Sequence, residues 1–252
     1  MKSIKVMITG GLACFTRPEM KAERVSYDVP TPGALEGLLK AIYWKPSMRY
    51  VIDKIVVFNP IEFISIRRNE VKSKVSFQKM KQQMNETKSA QTNPEKLIKT
   101  DPRIYTSADR TQRSSLVLKN VRYGVEFHIE LTGLKNEREK EEGNSLVKHN
   151  EIFIRRCKKG QCFREPCLGC AEFPANVQLI DDFDLSQVSS ENRGEKDLGF
   201  MLYKVCFKDH GHPIKDDWEK NLYSDEADSV FYRPMMIDGV IDVEKYKGSA
   251  IC

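Results

Sequence analysis

The spacing of apolar and polar residues divides this chain into short elements. Residues 4–9 read as a first strand. A Pro- and charge-rich loop follows, holding Phe15-Thr16-Arg17-Pro18-Glu19-Met20-Lys21. Thr31-Pro32 then opens a helix, with Thr as N-cap and Pro at the first helical position, where its missing N–H removes no hydrogen bond. Leu35, Leu38, Leu39 and Ile42 fall at i, i+3, i+4 and i+7 and give that helix one apolar stripe, which Pro46 stops. Residues 50–58 and 61–66 are apolar, β-branched runs joined by Asn59-Pro60, which predicts a hairpin.

Residues 67–115 are rich in Lys, Arg, Gln, Asn and Ser and weakly hydrophobic, so the expectation there is a long mobile loop or hairpin insertion with partial order at best. Val121, Tyr123, Val125, Phe127, Ile129 and Leu131 then alternate with polar residues, predicting a strand with one face buried. The charged stretch 135–143 reads as a turn or loop. A second helix is predicted from an Asn144 cap to Gly160, with Leu146, His149 and Phe153 on one side and Lys/Arg in its last turn. Residues 172–180 add a strand. Strand, helix, strand, strand, helix, strand is the split βαβ pattern of an α+β, ferredoxin-like (RRM-like) domain, one of the folds used for RNA binding. That domain is expected over 1–180, and a small β-rich domain over 181–252, with strand-like segments at 198–207 and 229–243.

Charge sharpens this division. Residues 1–180 hold 32 Lys and Arg against 20 Asp and Glu, a balance of +12, whereas residues 181–252 hold 9 against 16, a balance of −7. A basic body predicts a polyanionic partner, with a separate role for the acidic segment. Nowhere do eighteen apolar residues run together, and the N-terminus lacks the apolar stretch of a secretory signal, so no membrane association and a cytoplasmic location are expected. In that reducing compartment the seven cysteines are read mostly as buried thiols or ligands.

Four of them, Cys157, Cys162, Cys167 and Cys170, lie within fourteen residues and could supply a tetrahedral zinc site, but only Cys167 and Cys170 have a zinc-knuckle spacing; separate packed thiols are the simpler reading. Walker, G-x-S-x-G and H-E-x-x-H motifs are absent, and no acidic pattern before residue 180 suggests a two-metal centre. Phosphodiester chemistry on the basic domain is therefore expected to proceed without metal or cofactor. Metal-free RNA cleavage needs a group to help the ribose 2′-OH attack phosphorus, a cation to hold the growing phosphate charge, and a proton donor for the departing 5′-oxygen. His128 lies on the polar face of its strand and reads as solvated, and His210 and His212 flank a glycine in an acidic turn. Lys148-His149 places a cation beside a near-neutral acid/base, though a surface lysine next to a packed helix histidine has the same pattern. Tyr43 likewise either joins this chemistry or extends the apolar stripe of its helix, with Trp44 and Pro46 packing nearby.

The run Phe15-Thr16-Arg17-Pro18-Glu19-Met20-Lys21-Ala22-Glu23-Arg24-Val25-Ser26-Tyr27-Asp28-Val29-Pro30-Thr31-Pro32 resembles the N-terminal signature of the Dvulg-subtype (type I-C) CRISPR-associated proteins of the fifth Cas family. The likeness continues through Ala41-Ile42-Tyr43-Trp44-Lys45-Pro46, Asp109-Arg110-Thr111-Gln112-Arg113, Gly160-Gln161-Cys162-Phe163 and Leu168-Gly169-Cys170-Ala171-Glu172-Phe173. It extends over Asp197-Leu198-Gly199-Phe200-Met201-Leu202-Tyr203 to Ile237-Asp238-Gly239-Val240, and so spans nearly the whole chain.

The resemblance implies a ferredoxin-like N-terminal domain, a smaller β-rich C-terminal domain, and metal-independent cleavage of the CRISPR precursor transcript within each repeat. It also implies retention on the 5′ handle of the mature guide, among the other subunits of a type I-C interference complex. The family's Tyr carries over to Tyr43 and its Lys-His pair to Lys148-His149, with Gly160 at the following turn. Cys162 and Cys170 fall in motif blocks that read as packing. Arg17, Lys21, Arg24, Arg110 and Arg113 are candidate RNA contacts, since arginine forks match phosphates and guanine edges. Nonspecific DNA binding is an added expectation. Two rivals are a non-catalytic guide-RNA-binding subunit and a zinc-stabilised nucleic-acid-binding protein.

Overall fold

The computed structural model describes residues 3–20, 22–93, 98–133, 145–207 and 226–249. Two compact units emerge, one from the chain up to Ser65 and from Leu116 onward, the other from Ile66–Ser115. In the first, β1 (Ile4–Ala13), α1 (Pro32–Ile42), β2 (Met48–Val57), the latter part of β4 (Arg110–Leu131), α3 (Leu146–Lys158) and β5 (Asn176–Ile180) follow the predicted order. Their sheet runs β5-β1-β4-β2 with every neighbour antiparallel, the split βαβ arrangement. Ile4, Val6 and Ile8 of β1, Val125, Phe127 and Ile129 of β4, and Tyr50 and Ile52 of β2 are buried, as are Leu35, Leu38 and Leu39 of α1. Phe153 of α3 stacks edge-on against Tyr50 and Phe127, with ring centroids 5.8 and 5.3 Å away.

Thr31 caps α1 as predicted, its hydroxyl accepting from the Ala34 amide at 3.2 Å, with Pro32 at the first helical position. The helix ends at Ile42, before Pro46, because Tyr43 turns extended (φ −154°, ψ 133°). The predicted Asn144 cap lies outside the described residues. Ser145 caps α3 instead, its hydroxyl accepting from the Lys148 amide at 3.2 Å. At the other end Gly160 takes φ +62°, and Gln161 N–H bonds the Arg156 carbonyl at 2.9 Å while Gly160 N–H bonds Cys157 at 3.2 Å. This left-handed turn closes the helix where a residue with a side chain would be strained.

Two expectations are corrected. Residues 50–58 and 61–66 do not form a hairpin: β2 and β3 (Phe63–Val71) each pair with β4, which is long enough to receive both. Residues 67–115 hold more regular structure than the loop or hairpin insertion of partial order expected there: most of β3, the start of β4 and α2 (Phe77–Thr92) lie in this span. α2 buries no residue, so hydrophobic periodicity does not reveal it. Its strong helix formers and the Ser76 cap support it.

Beyond residue 180, β6 (Glu195–Asp197), β9 (Met235–Ile237) and β10 (Val240–Asp242) continue the main sheet past β2 in the order β10-β9-β6, while β7 (Met201–Phe207) and β8 (Ala227–Tyr232) pair separately. A β-rich C-terminal part is thus present, and three of its strands extend the sheet. Phe183 lies against Gly124, where an added Cβ would come within 2.7 Å of its ring. Val188 packs with Val56 and Phe58. Among the described residues no helix is long and apolar enough to cross a membrane.

Candidate active site

Tyr43 and His149 are 106 residues apart in sequence and meet between α1 and α3. Tyr43 follows the last turn of α1, its amide donating to the Leu39 carbonyl at 3.2 Å. His149 sits in the first turn of α3, its amide donating to the Ser145 carbonyl at 3.3 Å. The Tyr43 hydroxyl and His149 Nδ1 are 2.9 Å apart, with ring centroids separated by 5.9 Å. Either the phenol donates to an unprotonated Nδ1 or an Nδ1–H donates to the phenolic oxygen, so one contact supports both directions of proton movement. Both side chains are buried, Tyr43 4% and His149 1% exposed. Lys148, half-buried, precedes His149 on the same turn, and its amide helps close the Ser145 cap.

Two residues that sequence reasoning missed fix Tyr43. Tyr50 donates its hydroxyl to the Tyr43 carbonyl at 2.6 Å, and burial pushes that hydroxyl's pKa well above the usual phenol range, keeping it a donor. Arg156 donates to the Ile42 carbonyl at 3.0 Å and holds its guanidinium 5.2 Å from the centre of the Tyr43 ring. It follows His149 by seven residues, two helical turns, so helical spacing was the available signal.

Those of the other candidates that are described make local contacts of their own. Arg17 stacks over Tyr27 at 4.6 Å and reaches Asp28 at 3.4 Å. Arg24 donates to Cys170 Sγ at 3.4 Å. Lys21, His210 and His212 lie outside the described residues. In the other unit Arg110 is exposed and bonds the Thr106 carbonyl at 3.1 Å, and Arg113 pairs with Glu70 at 3.4 Å. His128 is not the solvated residue expected from its strand face: its Nδ1 lies 2.8 Å from Asp53 and its Nε2 3.3 Å from Glu130.

The cysteine cluster does not converge. Cys157 lies 3.9 Å from the Val177 carbonyl and burial pushes its thiol pKa up, Cys170 is buried against the Cys14 carbonyl at 3.8 Å, and Cys162 is exposed, against the packing expected of it. Among the described residues no three His, Cys, Asp or Glu side chains are grouped to hold a metal.

A split βαβ antiparallel sheet with a buried, hydrogen-bonded Tyr–His pair between its helices defines an α+β, ferredoxin-like protein. Comparison with known proteins identifies its kin. The Cas5d family model, described as CRISPR-associated protein (Cas_Cas5), matches residues 3–244. A protein of Mannheimia succiniciproducens named CRISPR pre-crRNA endoribonuclease Cas5d is 43% identical over 248 residues, covering 96% of this chain and 95% of its own. A protein of the same name from Thermus thermophilus is 37% identical over 214 residues, covering 84% and 78%. The chain belongs to the Cas5d family of CRISPR-associated proteins. Two solved structures share its fold at 23% identity. One is described as a CRISPR-associated protein (TM-score 0.57, covering 96% of this chain and 91% of that one) and the other as a functionally uncharacterized Streptococcus mutans protein (TM-score 0.58, covering 95% and 91%).

Proposed function

We propose that this chain is a CRISPR pre-crRNA endoribonuclease that cuts the precursor transcript within the repeat without metal. The two relatives bearing that activity in their names support the reading, and the 2.9 Å contact between Tyr43 and His149 carries its chemistry. The ribose 2′-oxygen attacks the adjacent phosphorus as its proton passes to one member of the pair. The P–O5′ bond breaks, and the 5′-oxygen takes a proton from the other member. Lys148 holds the charge on the phosphorane-like transition state. The products end in a 2′,3′-cyclic phosphate and a 5′-hydroxyl. Each acid/base role supplies about 10²–10⁴ in rate.

Residues 1–180 carry RNA binding and catalysis on this reading, with Arg17, Lys21, Arg24, Arg110 and Arg113 contacting RNA. Residues 181–252 form the smaller β-rich part. The protein acts in the cytoplasm and stays on the guide 5′ handle with the other subunits of a type I-C interference complex. Burial of Tyr43 and His149 favours a second reading, in which their hydrogen bond staples α1 to α3 and the chain holds guide RNA without cutting it. Incubating the purified protein in EDTA with labelled repeat RNA, beside the same RNA carrying a 2′-deoxy at the cut, decides between them. Cleavage of the first alone is expected. Tight binding of both with cleavage of neither sinks the nuclease.

A further inference from the structure

Beside the buried pair, two large aromatic side chains stand in solvent. Trp44, the residue after Tyr43, is 49% exposed, and Phe163 is 85% exposed. Trp44 does not play the packing role that its place in the sequence suggests. Phe163 is held in place by backbone: the Gly160 turn ends α3, and the Phe163 and Arg164 amides then donate to the Ala41 carbonyl at 2.8 and 3.2 Å. The last turn of α1 thus fixes the backbone that carries both rings, within three residues of Ala41. Exposed cations stand near them in sequence, Lys45 after Trp44 and Arg155, Lys158, Lys159 and Arg164 on either side of Phe163, against one exposed carboxylate, Glu165. Aromatic faces with cations beside them take unpaired nucleobases, whose π-faces stack while the cations meet the phosphates.

We propose that Trp44 and Phe163 form a nucleobase-stacking site that holds the unpaired nucleotides flanking the scissile phosphate. It rests on the nuclease reading, which supplies the RNA. In-line attack requires the 2′-oxygen, phosphorus and 5′-oxygen to align, and an ordinary helical stack does not align them. Drawing the flanking bases out onto fixed rings rotates the sugar-phosphate link into line. The ligand is a single-stranded segment at the base of a repeat structure, gripped by ring faces without base-edge readout.

A double-mutant cycle between rings and bases tests this on full-length protein. The probe is repeat RNA with a 2′-deoxy at the cut, so binding is read without cleavage, with and without an abasic site at each flanking nucleotide. Trp44→Ala and Phe163→Ala are expected to weaken binding of the intact RNA by about 5- to 100-fold, and the abasic site should then cost these variants little more. Trp44→Phe and Phe163→Tyr should bind as the parent does, and Phe163→Leu should behave like Phe163→Ala. The proposal is overturned if the abasic site weakens the alanine variants as much as the parent, or if Phe163→Leu retains parental affinity. Failure of the parent to cleave all-ribose RNA would contradict the nuclease reading alone, since the cycle uses RNA that cannot be cut.

Discussion

At the scale of single residues, the proposed chemistry rests on a hydrogen bond that the chain builds from both ends. The extended turn at Tyr43 ends α1, the Ser145 cap starts α3, and Arg156 and Tyr50 hold the carbonyls of Ile42 and Tyr43. Removing one oxygen is therefore a clean test. Tyr43→Phe keeps the ring but takes the phenol from the buried His149 Nδ1, at a cost of about 1–3 kcal/mol, so the protein should stay folded while its single-turnover cleavage rate falls by about 10²–10⁴. Lys148→Ala should lower the same rate, and Lys148→Arg should restore part of it. If Tyr43→Phe cleaves at the parental rate but melts several degrees lower, the pair is a structural staple. Spacing alone left Tyr43 and His149 as separate candidates with packing as the simpler reading, and only the family resemblance set them in one site. No periodicity joins residues 106 positions apart, and only the fold brings them together. Trp44 was misread for the opposite reason, because an apolar residue at the end of a helix stripe looks like core until its exposure is known, and Phe163 drew no reading of its own.

Elements with a core face were legible, and those without one were not. α1 and the long strand β4 announce themselves through a stripe and an alternation that match their buried faces. α2 has no buried residue, and its polar, Lys- and Gln-rich sequence resembles that of a disordered segment. Local bonds support it instead. Glu86 accepts from the Thr100 amide at 2.8 Å, the Thr100 hydroxyl at 2.7 Å, Gln82 at 3.0 Å and the Lys99 amide at 3.0 Å, tying residues 99–100 to the helix. The Thr100 amide bond, followed by its hydroxyl, does most to hold the Glu86 carboxyl down to about 2. A carboxylate whose pKa falls on folding stabilises the structure above its unfolded value, and that contribution disappears as pH drops through the folded one. The protection of the Thr100 amide, its exchange rate compared with that of an unstructured peptide at the same pH, should therefore hold at neutral pH and be lost between the ordinary glutamate range, near 4.3, and about 2. Glu86→Gln should leave that amide unprotected throughout. Equal protection in the variant would show that the tether contributes nothing.

Across the whole molecule, the uneven charge becomes more local than a basic first part and an acidic last part. The Ile66–Ser115 unit alone carries 12 Lys and Arg against 5 Asp and Glu, more than half of the +12 in residues 1–180. Such a field attracts RNA without reading its sequence. β1, α1, β2, the latter part of β4 and α3 were readable because each has a buried side. The paths of β6, β9 and β10 were not, since three-residue strands carry too little pattern to say which sheet edge they join. What the molecule does with RNA depends on whether the ribose itself is the nucleophile. Mass spectrometry of the fragments released from repeat RNA in EDTA reads this directly. The account predicts upstream fragments ending in a 2′,3′-cyclic phosphate and downstream fragments beginning with a 5′-hydroxyl. A 3′-hydroxyl paired with a 5′-phosphate would mean that water, not the 2′-oxygen, attacks phosphorus, and would contradict it.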